Sequence, residues 1–228
     1  MAPFGASRAG LMSTRVDAIP DSVVLQPASD DLNNFDGDTG EFDIDSTAPV
    51  FDGSLSLKAG QGSTSINIIG SAAGLQNYPQ VGKRHSFFAN LNNDSGSEDA
   101  LIFVNWGHSN TTARADGYGL LISADSGELQ LRRYDDGADT ILDSDSTPTY
   151  PTNAFLAFEV LHEADGSLTL QCYDASDQDA STYREGDLLT TLTATDSTHI
   201  TDGEYDNNGI LFLSTRNTGE VYDLWRTE

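Results

Sequence analysis

The sequence predicts an all-β fold: two antiparallel sheets packed face to face as a sandwich over residues 29–228, preceded by an extended arm over residues 1–28. Three observations predict it. Short runs with apolar residues at every second position recur along the chain, which is the pattern of half-buried strands. Turn residues (Gly, Asp, Asn, Ser) separate those runs at short intervals. No segment sustains the 3.6-residue apolar period of a helix. A chain of 228 residues is within the usual size of one such sandwich.

The arm comes first. Residues 1–27 are rich in small residues, carry Arg8 and Arg15, and hold Pro3, Pro20 and Pro27. They show no strand alternation. Phe4, Leu11, Met12 and Ile19, with the two arginines, are candidate partner-binding residues. They could dock into a groove of a partner chain, or the segment could add a strand to a sheet edge.

An acidic, turn-rich stretch (29–40) then leads into a strand at Glu41–Asp45. Gly53–Lys58 alternates leucines, and Ser65–Ile69 follows. Residues 70–83 read as a loop. Further strands are expected at His85–Leu91, Ala100–Trp106, Tyr118–Ser123, Glu128–Tyr134 and Thr140–Leu142. Phe155–Asp174 reads as a long hairpin, with Leu168, Leu170 and Cys172 on one face of its second strand. Asp165-Gly166 at its tip suits a two-residue type I′ turn, because both positions tolerate φ > 0. Leu188–Thr193, Gly209–Ser214 and Val221–Arg226 close the chain. A hairpin this long cannot bury one face alone, so a larger sheet must receive it.

The net charge is −25, from 36 acidic and 11 basic side chains. Aspartates outnumber glutamates 27 to 9, and lysine occurs only at Lys58 and Lys83. The acids are spread along the whole chain. This composition resembles the surface of proteins from extreme halophiles, where salt screens the self-repulsion. Nucleic-acid binding is excluded, because no basic patch exists to meet phosphates. No apolar run reaches the ~18 residues of a membrane span, and no secretory or twin-arginine signal is expected at the N-terminus. The single cysteine, Cys172, cannot form an intramolecular disulfide and reads as a small buried apolar residue.

The strand order resembles the concanavalin A-like, laminin G-like jelly-roll superfamily. The residues that carry the likeness are Gly53-Ser-Leu-Ser-Leu, Phe87-Phe-Ala-Asn-Leu, Gly117-Tyr-Gly-Leu-Leu-Ile-Ser beside Gly127-Glu-Leu-Gln-Leu-Arg, the Phe158-Glu-Val…Asp165-Gly-Ser-Leu hairpin, Gly209-Ile-Leu-Phe-Leu and Val221-Tyr-Asp-Leu-Trp-Arg226. The stretch Phe4-Gly-Ala-Ser-Arg-Ala-Gly-Leu-Met-Ser-Thr…Asp17-Ala-Ile-Pro-Asp-Ser is similar to the N-terminal arms of structural proteins from tailed viruses of haloarchaea. That resemblance implies a virion protein of a haloarchaeal virus, on the tail, baseplate, fibre or capsid surface, made in the host cytoplasm. It implies several identical copies per particle and other virion proteins as partners.

Four clusters carry candidate chemistry. Asn105, Trp106 and His108 end a strand and open a polar loop; with Tyr118 and Tyr134 they form a candidate sugar-binding surface, since aromatic faces beside amides suit stacking plus hydrogen bonding. Trp106 could instead be core and Tyr118 a strand-edge filler. Asp36, Asp38 and Asp43 are hard oxygen ligands suited to calcium, a metal many laminin G-like domains hold; Asp223 could join them where the termini meet. Glu41, Asp43 and Asp45 share one strand face and resemble the catalytic strand of laminarinase-type glycoside hydrolases, but the third acid is Asp and no Trp flanks it. His85, His108, His162 and His199 show no metal spacing and no adjacent nucleophile, so each reads as structural. The expected function is therefore a non-enzymatic virion module that binds host-surface glycans, with a hydrolase or a cell-surface adhesin as the alternatives.

Overall fold

A computed structural model describes residues 22–25, 36–37, 42–45, 51, 56–59, 66–69, 81–90, 101–106, 117–123, 128–135, 138–147, 149–151, 154–179, 181–199, 210–214 and 221–227. Side-chain surroundings are described for 51, 81–90, 117–122, 128–135, 138–147, 149–151, 154–179 and 181–199. The strands, in order, are β1 (Ser22–Leu25), β2 (Asp36–Gly37), β3 (Phe42–Asp45), β4 (Ser56–Ala59), β5 (Ile66–Ile69), β6 (Arg84–Asn90), β7 (Leu101–Trp106) and β8 (Gly117–Ser123). They continue with β9 (Glu128–Asp135), β10 (Ala138–Asp145), β11 (Phe155–His162), β12 (Ser167–Asp174), β13 (Leu188–Thr195), β14 (Ile210–Ser214) and β15 (Val221–Thr227).

Two sheets result. The first runs β13-β12-β11-β6-β15-β4-β3, with β1 also on β15; the second runs β10-β9-β8-β7-β14-β5-β2. Every described pairing is antiparallel. The expected all-β jelly-roll sandwich is thus the observed one. Two expected strands extend further, since β10 and β13 run on to Asp145 and Thr195.

β1 lies within the segment expected as an arm. It pairs with the end of β15, Ser22 opposite Thr227 and Leu25 opposite Trp225. β4 covers only Val221 and Tyr222 on that edge, so β1 occupies the length that β4 leaves open. This is the sheet-edge addition foreseen for the segment; Phe4, Arg8, Leu11, Met12, Arg15 and Ile19 lie outside the described residues.

The hairpin between β11 and β12 forms where expected, with a different turn. Gly166 N–H donates to Glu163 O (2.9 Å), Glu163 N–H donates to Ser167 O (2.8 Å), and Gly166 sits at φ +88°. This is a three-residue loop closed by a glycine bulge, not a two-residue type I′ turn. The Asp165 side chain accepts from Ser167 N–H (2.9 Å) and fixes the tip.

The pleat divides the first sheet into two faces. Phe87, Phe158, Leu168, Leu170, Cys172 and Leu192 fill the space between the sheets with Leu120, Ile122, Leu129 and Leu131 of the second sheet, and all are at most 2% exposed. Phe87 and Phe158, directly opposite in register, stack at 5.0 Å. Burial raises the Cys172 thiol pKa well above its ordinary value, as suits a packing residue.

The outer face of the first sheet carries a second, smaller core. Phe88, Phe155, Ala157 and Tyr173 are covered there by Ala175, Tyr183 and Phe51. Phe51 stacks on Phe88 at 4.1 Å, and the Tyr183 ring meets Phe88 edge-on at 5.3 Å. Tyr183 arrives on a 3-10 turn (Tyr183–Glu185) ended by Gly186. A Cβ on Gly186 would lie 1.9 Å from Asp174 O, so only glycine lets the loop lie this close to β12. The two sheets are also tied along one side. Asp143 of edge strand β10 accepts from Thr193 N–H of edge strand β13 (2.8 Å), and Asp145 accepts from the Thr190 hydroxyl. An inward carboxylate on an exposed N–H is one way to blunt an edge against pairing with other chains.

Candidate functional site

The expected sugar-binding residues converge only in part. Strand pairing sets Trp106 opposite Tyr118 and Asn105 opposite Gly119, and sets Tyr134 opposite Gly117. The positions therefore gather at one end of the second sheet. But the Tyr118 and Tyr134 rings are both fully buried, at 0% exposure. Neither offers a face for stacking, which corrects the expectation for these two residues. The physical reason is packing: Tyr118 points into the space between the sheets and meets the His162 ring edge-on at 4.7 Å. The side chains of Asn105 and Trp106 are not among those described, and His108 lies outside the described residues.

Tyr118 instead belongs to a polar network at that end. Its hydroxyl donates to Asp196 Oδ1 (2.7 Å) and accepts from His199 N–H (3.2 Å). Arg133 donates to Asp196 Oδ2 (2.5 Å) and to Asp135 Oδ2 (2.8 Å); His199 Nε2 lies 2.7 Å from Asp135 Oδ1. His162 Nε2 donates to Asp196 O (2.9 Å). Burial pushes the Asp196 carboxyl up, but hydrogen bonds from Thr198 N–H, Tyr118 and Arg133 prevail and hold it below the usual range. Burial raises the Tyr118 phenol and lowers His162. The network is internally satisfied and joins β8 and β9 to the ends of β11 and β13. It reads as a clasp between sheets, and His85, His162 and His199 are all buried, as structural histidines are.

A second polar cluster sits on the outer face of the first sheet. Glu159, at the middle of β11, is 3% exposed. It accepts from Tyr183 Oη (2.8 Å), from Arg184 (2.6 Å) and from Arg84 of β6. The two guanidinium side chains are 34% and 46% exposed. The sequence carries one signal for this cluster: a lone acid inside the apolar run Phe155-Leu-Ala-Phe-Glu-Val-Leu. Its partners are 75 and 25 positions away, beyond what spacing reveals. The Arg184 guanidinium also lies 5.1 Å from the Tyr183 ring centroid.

The expected calcium ligands do not share one loop. Asp36 is on β2 in the second sheet, whereas Asp43 (β3) and Asp223 (β15) are in the first, separated by β4. Asp38 lies outside the described residues. The side chains of Asp36, Asp43 and Asp223 are not among those described. Asp43 and Asp45 sit on edge strand β3, with Glu41 outside the described residues.

No family model and no curated protein matches the chain. Solved structures share its architecture. The globular domain of T. cruzi calreticulin aligns with a TM-score of 0.56 at 8% identity, over 90% of this chain and 87% of that one. The Ca2+-bound exoplasmic/lumenal domain of VIP36 aligns with a TM-score of 0.56 at 10% identity, over 90% and 89%. A Bacillus subtilis protein with a galectin-like fold aligns with a TM-score of 0.54 at 12% identity, over 89% and 93%. At such identities the likeness is one of fold: a two-sheet antiparallel jelly-roll sandwich.

Proposed function

We propose that the chain is a non-catalytic, glycan-binding structural module carried on the surface of a haloarchaeal virus particle. The observation that carries the glycan part is the fold. The same sandwich occurs in the VIP36 domain in its Ca2+/Man3GlcNAc-bound form, with a TM-score of 0.53 at 10% identity over 85% of this chain and 81% of that one. The virion part is supported by the N-terminal arm and by the −25 net charge, which suits a protein exposed to concentrated salt. In this reading residues 1–21 fix the domain to other virion proteins, and β1 ties that arm to the sandwich.

The test is capture of purified virion structural proteins in multimolar KCl by the full chain and by a chain lacking residues 1–21. The cut must spare β1, because removing Ser22–Leu25 would strip the end of β15 of a partner. Capture by the full chain alone is expected. Equal capture by both, or by neither, would overturn the anchoring role.

A further inference from the structure

We propose that the open half of the outer face of the first sheet, centred on Arg84, binds the carboxylate-bearing sugars of an acidic oligosaccharide. The inference rests on the glycan-binding reading above and names the ligand class and the surface. The outer face is divided. Toward Phe88 it is roofed by Phe51 and Tyr183. Toward Arg84 the described residues leave it open: in register across the strands lie Arg84, Leu161, Thr169 and the exposed Thr193, then Glu159, Gln171 and the exposed Thr191. The result is a shallow shelf of hydroxyls and an amide, with the half-buried Leu161 near its middle. A pyranose ring can lay its apolar face on such a side chain and its hydroxyls on the polar rim.

The charge selects the sugar. Two guanidinium groups meet one carboxylate at Glu159, and the Glu163 carboxylate lies just past the end of β11 beside Gly82, in a chain of net charge −25. Two further arginines differ. Arg132 and Arg133 have side chains 16% and 24% exposed and each pairs with an aspartate. Arg84 spends one nitrogen on Glu159 and is 46% exposed. Glu159 holds one end of that guanidinium, which leaves a half-exposed donor group beside the shelf. A guanidinium presents paired N–H donors that match a carboxylate. Concentrated salt shortens the Debye length to ~3 Å at 1 M, which removes long-range repulsion by the acidic coat and leaves this contact.

Calorimetry in multimolar KCl tests this with tetragalacturonate, its methyl ester and neutral tetrasaccharides. Tetragalacturonate is expected to bind about two- to fivefold more tightly than the methyl ester, the scale of one half-exposed ion pair. Arg84→Gln should abolish that preference, while Arg132→Gln should leave it. Thr191→Asp, which places a like charge on the shelf without touching the Arg84–Glu159 pair, should also abolish it and covers the case in which Arg84→Gln fails to fold. Equal binding of acid and ester, or a preference that survives both Arg84→Gln and Thr191→Asp, would overturn the proposal. Binding of neutral tetrasaccharides alone would overturn it while leaving the glycan-binding reading standing. Binding of no glycan would remove both.

Discussion

Replacing Glu159 with methionine removes one buried carboxylate and leaves three donors behind. The side chain keeps its length, so the packing of β11 is little changed. Tyr183 loses its acceptor in a buried place, a loss of about 1–2 kcal/mol. Arg84 and Arg184 are 46% and 34% exposed and can turn to water, so each lost ion pair costs only about 0.5 kcal/mol. The sum is about 2–3 kcal/mol. For a 228-residue chain that lowers Tm by about 4–12 °C. The damage should be local, because Tyr183 and Arg184 belong to the loop that roofs the second core. Melting in fixed multimolar KCl measures the shift, and limited proteolysis locates it between β12 and β13. Glu159→Gln, which retains an acceptor for Tyr183, should fall between wild type and Glu159→Met. A Tm change under about 1 °C for Glu159→Met, with the loop still resistant to protease, would refute the view that this carboxylate anchors it.

Three further outcomes follow from the same geometry. Gly186→Ala should cost about 2 kcal/mol or more, because its Cβ would sit 1.9 Å from Asp174 O and the loop must lift; an unchanged urea midpoint would contradict this. His162 is buried as the neutral ring and its folded pKa is lowered, so the unfolded chain takes up the proton first. Its contribution to stability is therefore full above about pH 6.5 and is lost as pH falls through the folded value; urea midpoints of wild type should drop more steeply on acidification than those of His162→Gln, and parallel curves would contradict this. Lowering KCl from about 2 M to about 0.05 M lengthens the Debye length severalfold and frees repulsion among 36 acids, so far-ultraviolet circular dichroism should show loss of strand signal; a Tm indifferent to salt would contradict this.

β9 and β12 are legible because each has one face against the core. Glu128–Tyr134 and Leu168–Cys172 show the alternation plainly, and Asp165-Gly166 marks a reversal whatever its turn type. β1 was legible only as a segment able to add to a sheet edge. Ser22-Val-Val-Leu25 has no alternation of its own, and its pairing is set by the free end of β15. Tyr118 and Tyr134 were misread for a related reason. A period-two pattern states which side chains share a face, but not what covers that face. Tyr134 shares the outward side of β9 with Arg132, yet it is fully buried while Arg132 retains some exposure. The Glu159 cluster escapes a reading of spacing because it draws on three distant stretches, one of them giving both Tyr183 and Arg184, and only the sheet order and the covering loop bring them together.

A glycan array probed with the full chain in multimolar KCl, with the heat-unfolded chain as control, tests the central claim most directly. The account predicts saturable binding to a defined set of oligosaccharides that competes with free sugar and is lost on unfolding. No saturable binding to any glycan by a chain that circular dichroism shows to be folded would contradict it.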